Sequence, residues 1–326
     1  MRRALITTCV AAAAVLAVAG CTTAAGLTAP GAEPVGSTAT GDDVAAAAAS
    51  DVATAATDDV AVPPELTDAE QVRVDQALEL LVRDCMRAEG FRYVPARVAT
   101  VEERQGSGYV LDDVGWAREH GYGLELEDRV AEIQRSDPNH AYANALPEAD
   151  RLRWSTALDG DPAAGMLTAE LPGGGVVQTP DESCFVRAKD ELYGDFAAWF
   201  QAEKVATNLV GLYAEDLVAD ERFAAELAAW SECMGRRGYD YPDPPAVRED
   251  LHRVLAGLGE EQARTAERGL AVAEATCAVR ETALVGTALA LEDEYRGRLT
   301  RYDDEVADYR RMQRVALENA ERVPAG

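Results

Sequence analysis

The chain has 326 residues, a formal net charge of −27 and 6 cysteines. A chain this acidic lacks the basic face that nucleic-acid binding requires, so we expect no nucleic-acid partner. The acidity also argues against an electrostatic attraction to anionic lipid. Solubility and self-repulsion between chains are the simple explanation of the high negative charge. The length allows one large core or two joined halves.

The first predicted element is an export signal. A short positive head precedes an apolar run from Ala4 to Ala19, which is too short and wrongly flanked for a membrane-spanning helix. The run ends in Val18-Ala19-Gly20-Cys21, which resembles the bacterial lipobox. By that resemblance, residues 1–20 are a signal peptide and Cys21 carries a lipid that anchors the chain in the membrane. The expected location is the extracytoplasmic face of the cell membrane; the alternative is an ordinary secretory peptide.

Residues 21–64 predict a disordered tether. They consist mainly of Ala, Thr, Gly, Asp and Pro with almost no large apolar residue. Such a segment cannot bury enough surface to offset the entropy lost on ordering. As a flexible coil of about 44 residues it would span roughly 35–40 Å. The tether would hold the folded part, residues 65–326, away from the membrane.

The folded part contains one motif twice, Cys-Met-x-x-x-Gly-[Phe/Tyr]-x-Tyr. Apolar residues at helical spacing precede each copy, and a glycine just past a helix end suits the left-handed conformation of a Schellman stop. In that geometry the methionine contacts the aromatic residue after the glycine. A recognition site built from the tyrosines is the alternative to packing. The two copies comprise Cys85, Met86, Gly90, Phe91 and Tyr93, and Cys233, Met234, Gly238, Tyr239 and Tyr241.

A second cysteine follows each motif, in the shared pattern Cys-x-Val-Arg at Cys184 and Cys277. With Cys9 in the signal and Cys21 lipidated, four cysteines remain, an even number that predicts two disulfides in an oxidising compartment. Three pairings are possible. The internal pseudo-repeat favours pairing of the two cysteines within each half.

The sequence indicates no metal, cofactor or catalytic group. There is no Cys-x-x-Cys pair, and the three histidines lie far apart and form no His-Glu-x-x-His. A carboxylate pair of a hydrolase cannot be selected among 58 acids. The sequence therefore favours a protein that is not an enzyme.

The two predicted halves are residues 65–218 and 219–326. The first half carries an irregular insertion, residues 96–180, which breaks the symmetry and is either a functional segment or a plain structural excursion. Two helices are expected in it, Leu124–Arg135 and Pro147–Leu158. Its possible ligand-binding residues are Tyr109, Trp116 and Tyr122.

The remaining pattern is almost entirely helical, so the fold class is all-α. Thr67 is a plausible N-cap of the first helix, and a long helix is expected from Asp181 to Leu217. A long C-terminal helix is expected within residues 259–323, where the chain has no proline. Its apolar series packs either in the protein's own core or against a partner. The series is Leu284, Ala288, Leu291, Tyr295, Leu299, Tyr302, Val306 and Tyr309.

These motifs, the lipobox and the tether resemble a group of uncharacterised secreted lipoproteins of high-GC Gram-positive (actinobacterial) type. The scarcity of lysine, with only Lys189 and Lys204, fits such a genome. The resemblance implies an all-α, lipid-anchored protein and supplies no catalytic residues.

Three functions are open on the sequence. The sequence favours the first, an interaction or accessory module of a cell-envelope or transport assembly, with an envelope or transporter protein as partner. The second is a binding module for a small solute or wall glycan that uses the insertion. The third, least favoured, is a cell-wall hydrolase.

Overall fold

A computed structural model describes residues 62–106 and 108–324. The predicted signal peptide, Cys21 and nearly all of the tether lie outside these residues. The all-α class is confirmed, since helices dominate and the described residues contain a single two-stranded sheet.

The residues described in the first half form eight α-helices and a hairpin. In chain order they are α1 (Asp68–Ala88), α2 (Val114–His120), α3 (Leu124–Arg135), α4 (Pro138–Ala145), α5 (Glu148–Asp159), β1 (Met166–Glu170), β2 (Val176–Pro180), α6 (Cys184–Tyr193), α7 (Phe196–Ala206) and α8 (Ala214–Ala219). The helix predicted at Leu124–Arg135 is confirmed, and that at Pro147–Leu158 is confirmed within one residue.

The second half is helical throughout. Its elements are α9 (Glu221–Arg236), α10 (Pro244–Leu255), α11 (Glu260–Thr276), a π-helical turn (Cys277–Glu281), α12 (Leu284–Arg296) and α13 (Asp303–Ala320). A long helix does end the chain, α13 with 18 residues. The apolar series that was expected along one helix is instead divided among α12, the turn at residues 297–302, which holds Leu299 and Tyr302, and α13.

The prediction of one long helix from Asp181 to Leu217 was wrong. Gly194 ends α6 with a left-handed φ of 89°, and Asp195 then caps α7 by accepting a hydrogen bond from the Ala198 amide at 2.9 Å. A second break follows at residues 207–213. The apolar spacing continues past Gly194 because the end of α6 and the start of α7 pack in the same cluster, and the residues after the second break pack in another.

Both copies of the motif form Schellman stops, as predicted. Gly90 and Gly238 have φ of 84° and 87°. The Phe91 amide donates to the Met86 carbonyl at 2.9 Å, and the equivalent bond in the second copy, from Tyr239 to Met234, is 3.0 Å. Helix α1 also begins as predicted, with Thr67 in a reciprocal capping box with Glu70.

The structure confirms both predicted disulfides, Cys85–Cys184 and Cys233–Cys277. The second cysteines are not structurally equivalent, however. Cys184 is the first residue of α6, whereas Cys277 follows the last residue of α11. The shared Cys-x-Val-Arg pattern is thus a match of sequence at opposite ends of two helices.

The hairpin was not predicted. Strands β1 and β2 pair antiparallel, with Leu167 opposite Thr179, and the glycine triplet at 173–175 lies in the turn between them. Each strand has only five residues, too few for alternation to be distinguished from an irregular loop. Ala169 is fully buried against the α7 region of the core.

The two halves exchange segments. Helix α13 leaves the second half and packs on α1, α6 and α7 of the first half. Helix α2, from the insertion, packs on α11 of the second half. The halves therefore depend on each other for their cores, which the linear repeat did not indicate.

Candidate functional site

Of the three aromatic residues proposed as ligand contacts, Trp116 and Tyr122 are buried and Tyr109 is partly buried. Trp116 and Tyr122 are each 8% exposed, and the Tyr109 ring packs edge-on against Phe223 with centroids 5.6 Å apart. Their rings join the insertion to the core of the second half. Trp116 and Tyr122 therefore present no ligand surface, because both rings are buried in the protein's own core, whereas Tyr109 stays partly exposed.

A fully buried carboxylate on α11 holds this segment. Glu274 is 0% exposed. One of its oxygens accepts from the Tyr122 hydroxyl at 2.6 Å. The other accepts from the Leu111 amide at 2.9 Å and from Arg248 Nη2 at 3.3 Å. Each of these contacts is a hydrogen bond donated to the carboxylate, so both oxygens of Glu274 have hydrogen-bond partners.

Burial and a neighbouring charge shift the pKa of Glu274 in opposite directions. Burial raises the pKa of Glu274, and the Arg248 guanidinium works in the opposite direction. Burial and the neighbouring acid raise the pKa of Tyr122 far above its ordinary value. The guanidinium also lies 5.7 Å from the centre of the Tyr122 ring. The cluster is a buried structural network in which both oxygens of the acid are hydrogen-bonded by the protein itself.

A second buried carboxylate lies two turns earlier on the same helix. Glu267 Oε1 accepts from the amide of Tyr122 at 2.8 Å and from that of Leu124 at 3.4 Å. Burial raises the pKa of Glu267. A Cβ on Gly121 would come within 2.7 Å of this carboxylate. We call Glu267 and Glu274, with the donors they hold, the latch.

The latch positions a surface cleft of about 200 Å³ beside it. The cleft lies where the turn at residues 102–104, the end of α2 and the start of α3 meet. Most of its lining is charged. The lining residues are Glu102, Glu119, His120, Glu125, Leu126 and Arg129.

Three side chains in the cleft bring nitrogen and oxygen donors together. His120 Nε2 is 2.6 Å from Glu102 Oε1 and 4.0 Å from Glu119 Oε2. One donor atom from each residue lies within 4.8 Å of the other two. The His120 side chain is 15% exposed, whereas those of Glu102 and Glu119 are 53% and 75% exposed. The imidazole is therefore held and the carboxylates are free to move.

The buried Trp116 side chain supports the positions of His120 and Glu102. Its ring packs against that of His120 with centroids 5.2 Å apart, and its Nε1 donates to the Glu102 carbonyl at 3.1 Å. Gly106 and Gly123 leave room for the indole, since Cβ atoms there would lie 2.4 Å and 3.1 Å from it. Of the three predicted binding residues, Trp116 thus shapes a site although it does not line one.

Sequence reasoning missed the cleft residues. The histidines are far apart in the sequence and predict no metal-ligand set, whereas the structure brings a single histidine and two acids close enough that they could hold an ion. Glu102 is separated from His120 by a turn and all of α2, and no local pattern predicts that return. The helical spacing of Trp116 and His120 was the one available signal for their stacked rings.

The tyrosines of the helix stops have packing roles. Tyr93 is 9% exposed and donates to Glu79 at 2.9 Å, and Tyr241 donates to Asp250 at 2.9 Å. Tyr239 packs against the core of the second half. These contacts favour the packing interpretation over a recognition site.

Comparisons with protein families, with curated proteins and with solved structures found no match. Among the residues that the structure describes, no helix is both long enough and apolar enough to span a membrane.

Proposed function

We propose that this chain is a lipid-anchored, extracytoplasmic binding module whose ligand is a small cation held in the cleft. The observation that carries the proposal is the combination of three acidic side chains and one histidine in a cleft of about 200 Å³. The cleft has one basic residue, Arg129, which already lies 3.8 Å from Glu125. Its charge therefore complements a positively charged ligand.

The apolar series of α12 and α13 does not support the alternative of a partner-facing seam. Leu284, Ala288 and Leu291 are buried. Four further members are partly buried and pack against the same core. They are Tyr295, Leu299, Tyr302 and Val306. Because seven of the eight members pack in the protein's own core, the series offers little support for an accessory subunit, and binding by the insertion is the better-supported function.

The anchor and the location are part of the proposal. The lipobox at Cys21 supports anchoring, and the Ala-, Thr- and Pro-rich residues 21–64 support a tether between the lipid and the folded part. Two disulfides favour an oxidising environment outside the cytoplasm. In this arrangement the cleft would meet solutes, ions and wall polymers close to the membrane.

A thermal-shift screen of cationic ligands tests the proposal. The full chain is heated with divalent metal chlorides, with 1,4-diaminobutane and with amino sugars, and each hit is repeated on Glu119→Gln and Glu125→Gln. A ligand that binds only the folded state raises Tm, by an amount that grows with the logarithm of its concentration divided by its Kd. We expect at least one cation to raise Tm in the wild type and much less in the variants.

A matched control is Glu132→Gln, an exposed acid on α3 that pairs with Arg135 and does not line the cleft. It should leave the thermal shift unchanged. The proposal fails if no cation raises Tm, or if the cleft variants respond as strongly as the wild type.

A further inference from the structure

This inference rests on the proposed function and identifies the cation. We propose that His120, Glu102 and Glu119 form a binding site for a divalent first-row transition-metal ion, of which Zn²⁺ is the best fit. The carrying observation is the mixed donor set, one imidazole nitrogen and two carboxylates, at the mouth of a cleft.

The donor chemistry favours a borderline metal over a hard one. Imidazole suits Zn²⁺ and its neighbours, while Mg²⁺ and Ca²⁺ prefer all-oxygen sites. Three protein ligands with a further position open to solvent is the arrangement found where Zn²⁺ keeps a water or a bound molecule. The cleft provides that open side.

The distances require only small side-chain movements. Tetrahedral ligands at bond lengths of about 2.0–2.1 Å lie about 3.3 Å from one another. The pair His120–Glu102 would therefore open from 2.6 Å, and the pair His120–Glu119 would close from 4.0 Å. Both carboxylates are more than half exposed, so rotation of their side chains can supply these changes.

The residues behind the ligands are placed to orient them. The Trp116 indole packs on the His120 ring and donates to the carbonyl of Glu102, so a single side chain positions two of the three ligands. Outer-shell contacts of this kind commonly tune metal affinity about 10–100-fold. Trp116 is thus a positioning residue of the site.

The direct test is calorimetric titration of the full chain with ZnCl₂, alongside MgCl₂ and 1,4-diaminobutane. The variants are Glu119→Gln and His120→Asn, and the control is His140→Asn, which changes an exposed histidine on α4. We expect one Zn²⁺ site in the wild type and in the control. Each cleft variant should weaken binding about 10-fold or more, since loss of a ligand costs at least as much as loss of an outer-shell contact.

Retention of full Zn²⁺ affinity in His120→Asn would overturn the inference. Binding of the diamine but not of Zn²⁺, with loss in Glu119→Gln, would overturn the metal and leave the binding module intact. If neither ligand binds, the metal site is overturned, and the binding module is overturned too when no cation in the thermal-shift screen raises Tm.

Discussion

The molecule carries two sets of carboxylates around the same insertion, and they are built in opposite ways. In the latch, Glu274 is fully buried and accepts from a hydroxyl, an amide and a guanidinium. In the cleft, Glu102 and Glu119 are 53% and 75% exposed and converge on one imidazole. The two sets are joined by Tyr122 and Trp116, which belong to one short segment.

The difference separates stability from binding. A buried acid whose oxygens are all occupied stabilises the docking of the insertion and cannot accept a ligand. An exposed acid contributes little to stability but is free to reach a cation. Changes to the latch should therefore alter unfolding, and changes to the cleft should alter binding alone.

The largest effect is expected for Glu274→Ala. Removing the acid leaves the guanidinium of Arg248 and the hydroxyl of Tyr122 without their buried acceptor, which costs about 3–5 kcal/mol. Denaturant unfolding measures this loss. Glu318→Ala removes an exposed acid on α13 and should change the free energy of unfolding by less than about 0.5 kcal/mol. Equal effects of the two changes would contradict the assigned role of the latch.

Gly121→Ala tests the fit between the insertion and α11. Gly121 has φ of 65°, and a Cβ there would lie 2.7 Å from Glu267, so we expect a loss of about 1–3 kcal/mol. The same change at Gly286, an exposed site on α12 with nothing within 4 Å, should instead stabilise by about 0.5–1 kcal/mol. Thermal melts of the two variants should therefore move in opposite directions.

The pH dependence of stability should distinguish Glu267 from an ordinary surface acid. Burial raises its pKa in the folded state, so the folded protein binds this proton more tightly than the unfolded chain does. The stability that protonated Glu267 contributes is complete at pH values below the ordinary glutamate pKa. It is lost as the pH rises through the raised pKa of the folded state. In Glu267→Gln the side-chain oxygen can still accept hydrogen bonds from the backbone amides, and there is no charge to bury.

Wild type and Glu267→Gln should accordingly be similar in stability at acidic pH, and the wild type should become the less stable of the two as pH rises. Urea unfolding at a series of pH values measures the difference. A wild type that gains stability relative to Glu267→Gln on alkalinisation would show that the carboxylate is favoured in its ionised form.

The smallest effect on stability is expected for Glu119→Gln. Its side chain is 75% exposed, so the free energy of unfolding should change by less than about 0.5 kcal/mol. Loss of cation binding with this unchanged stability would complete the contrast with the latch. A large drop in Tm without ligand would instead assign Glu119 a structural role.

The sequence predicted local features well. Glycines in the repeated motif specified the two helix stops, Thr67 specified a cap, and the repeat selected the disulfide pairing among three. Each of these depends on residues close in the chain or on a count of cysteines. The predicted ligand role of Tyr122 failed for the converse reason, because its burial depends on α11, more than a hundred residues away.

The cleft could not be predicted for the same reason. Glu102 and His120 lie at opposite ends of a segment that folds back on itself around Trp116. Glu267 and Glu274 in the other half hold this segment in place through hydrogen bonds on both sides of α2. Continuous apolar spacing also concealed the break at Gly194, since separate helices on one core share a periodicity. Long-range docking, rather than local preference, decides where the candidate site lies.

The most direct test of the cleft is a nuclear magnetic resonance titration of the histidine imidazoles, followed as ZnCl₂ and then 1,4-diaminobutane are added to the full chain. The protein has three histidines, so each signal can be assigned by substitution. The account predicts that one of these cations shifts His120 and leaves His140 and His252 unchanged. Equal shifts at all three, or none at His120 with either cation, would contradict it.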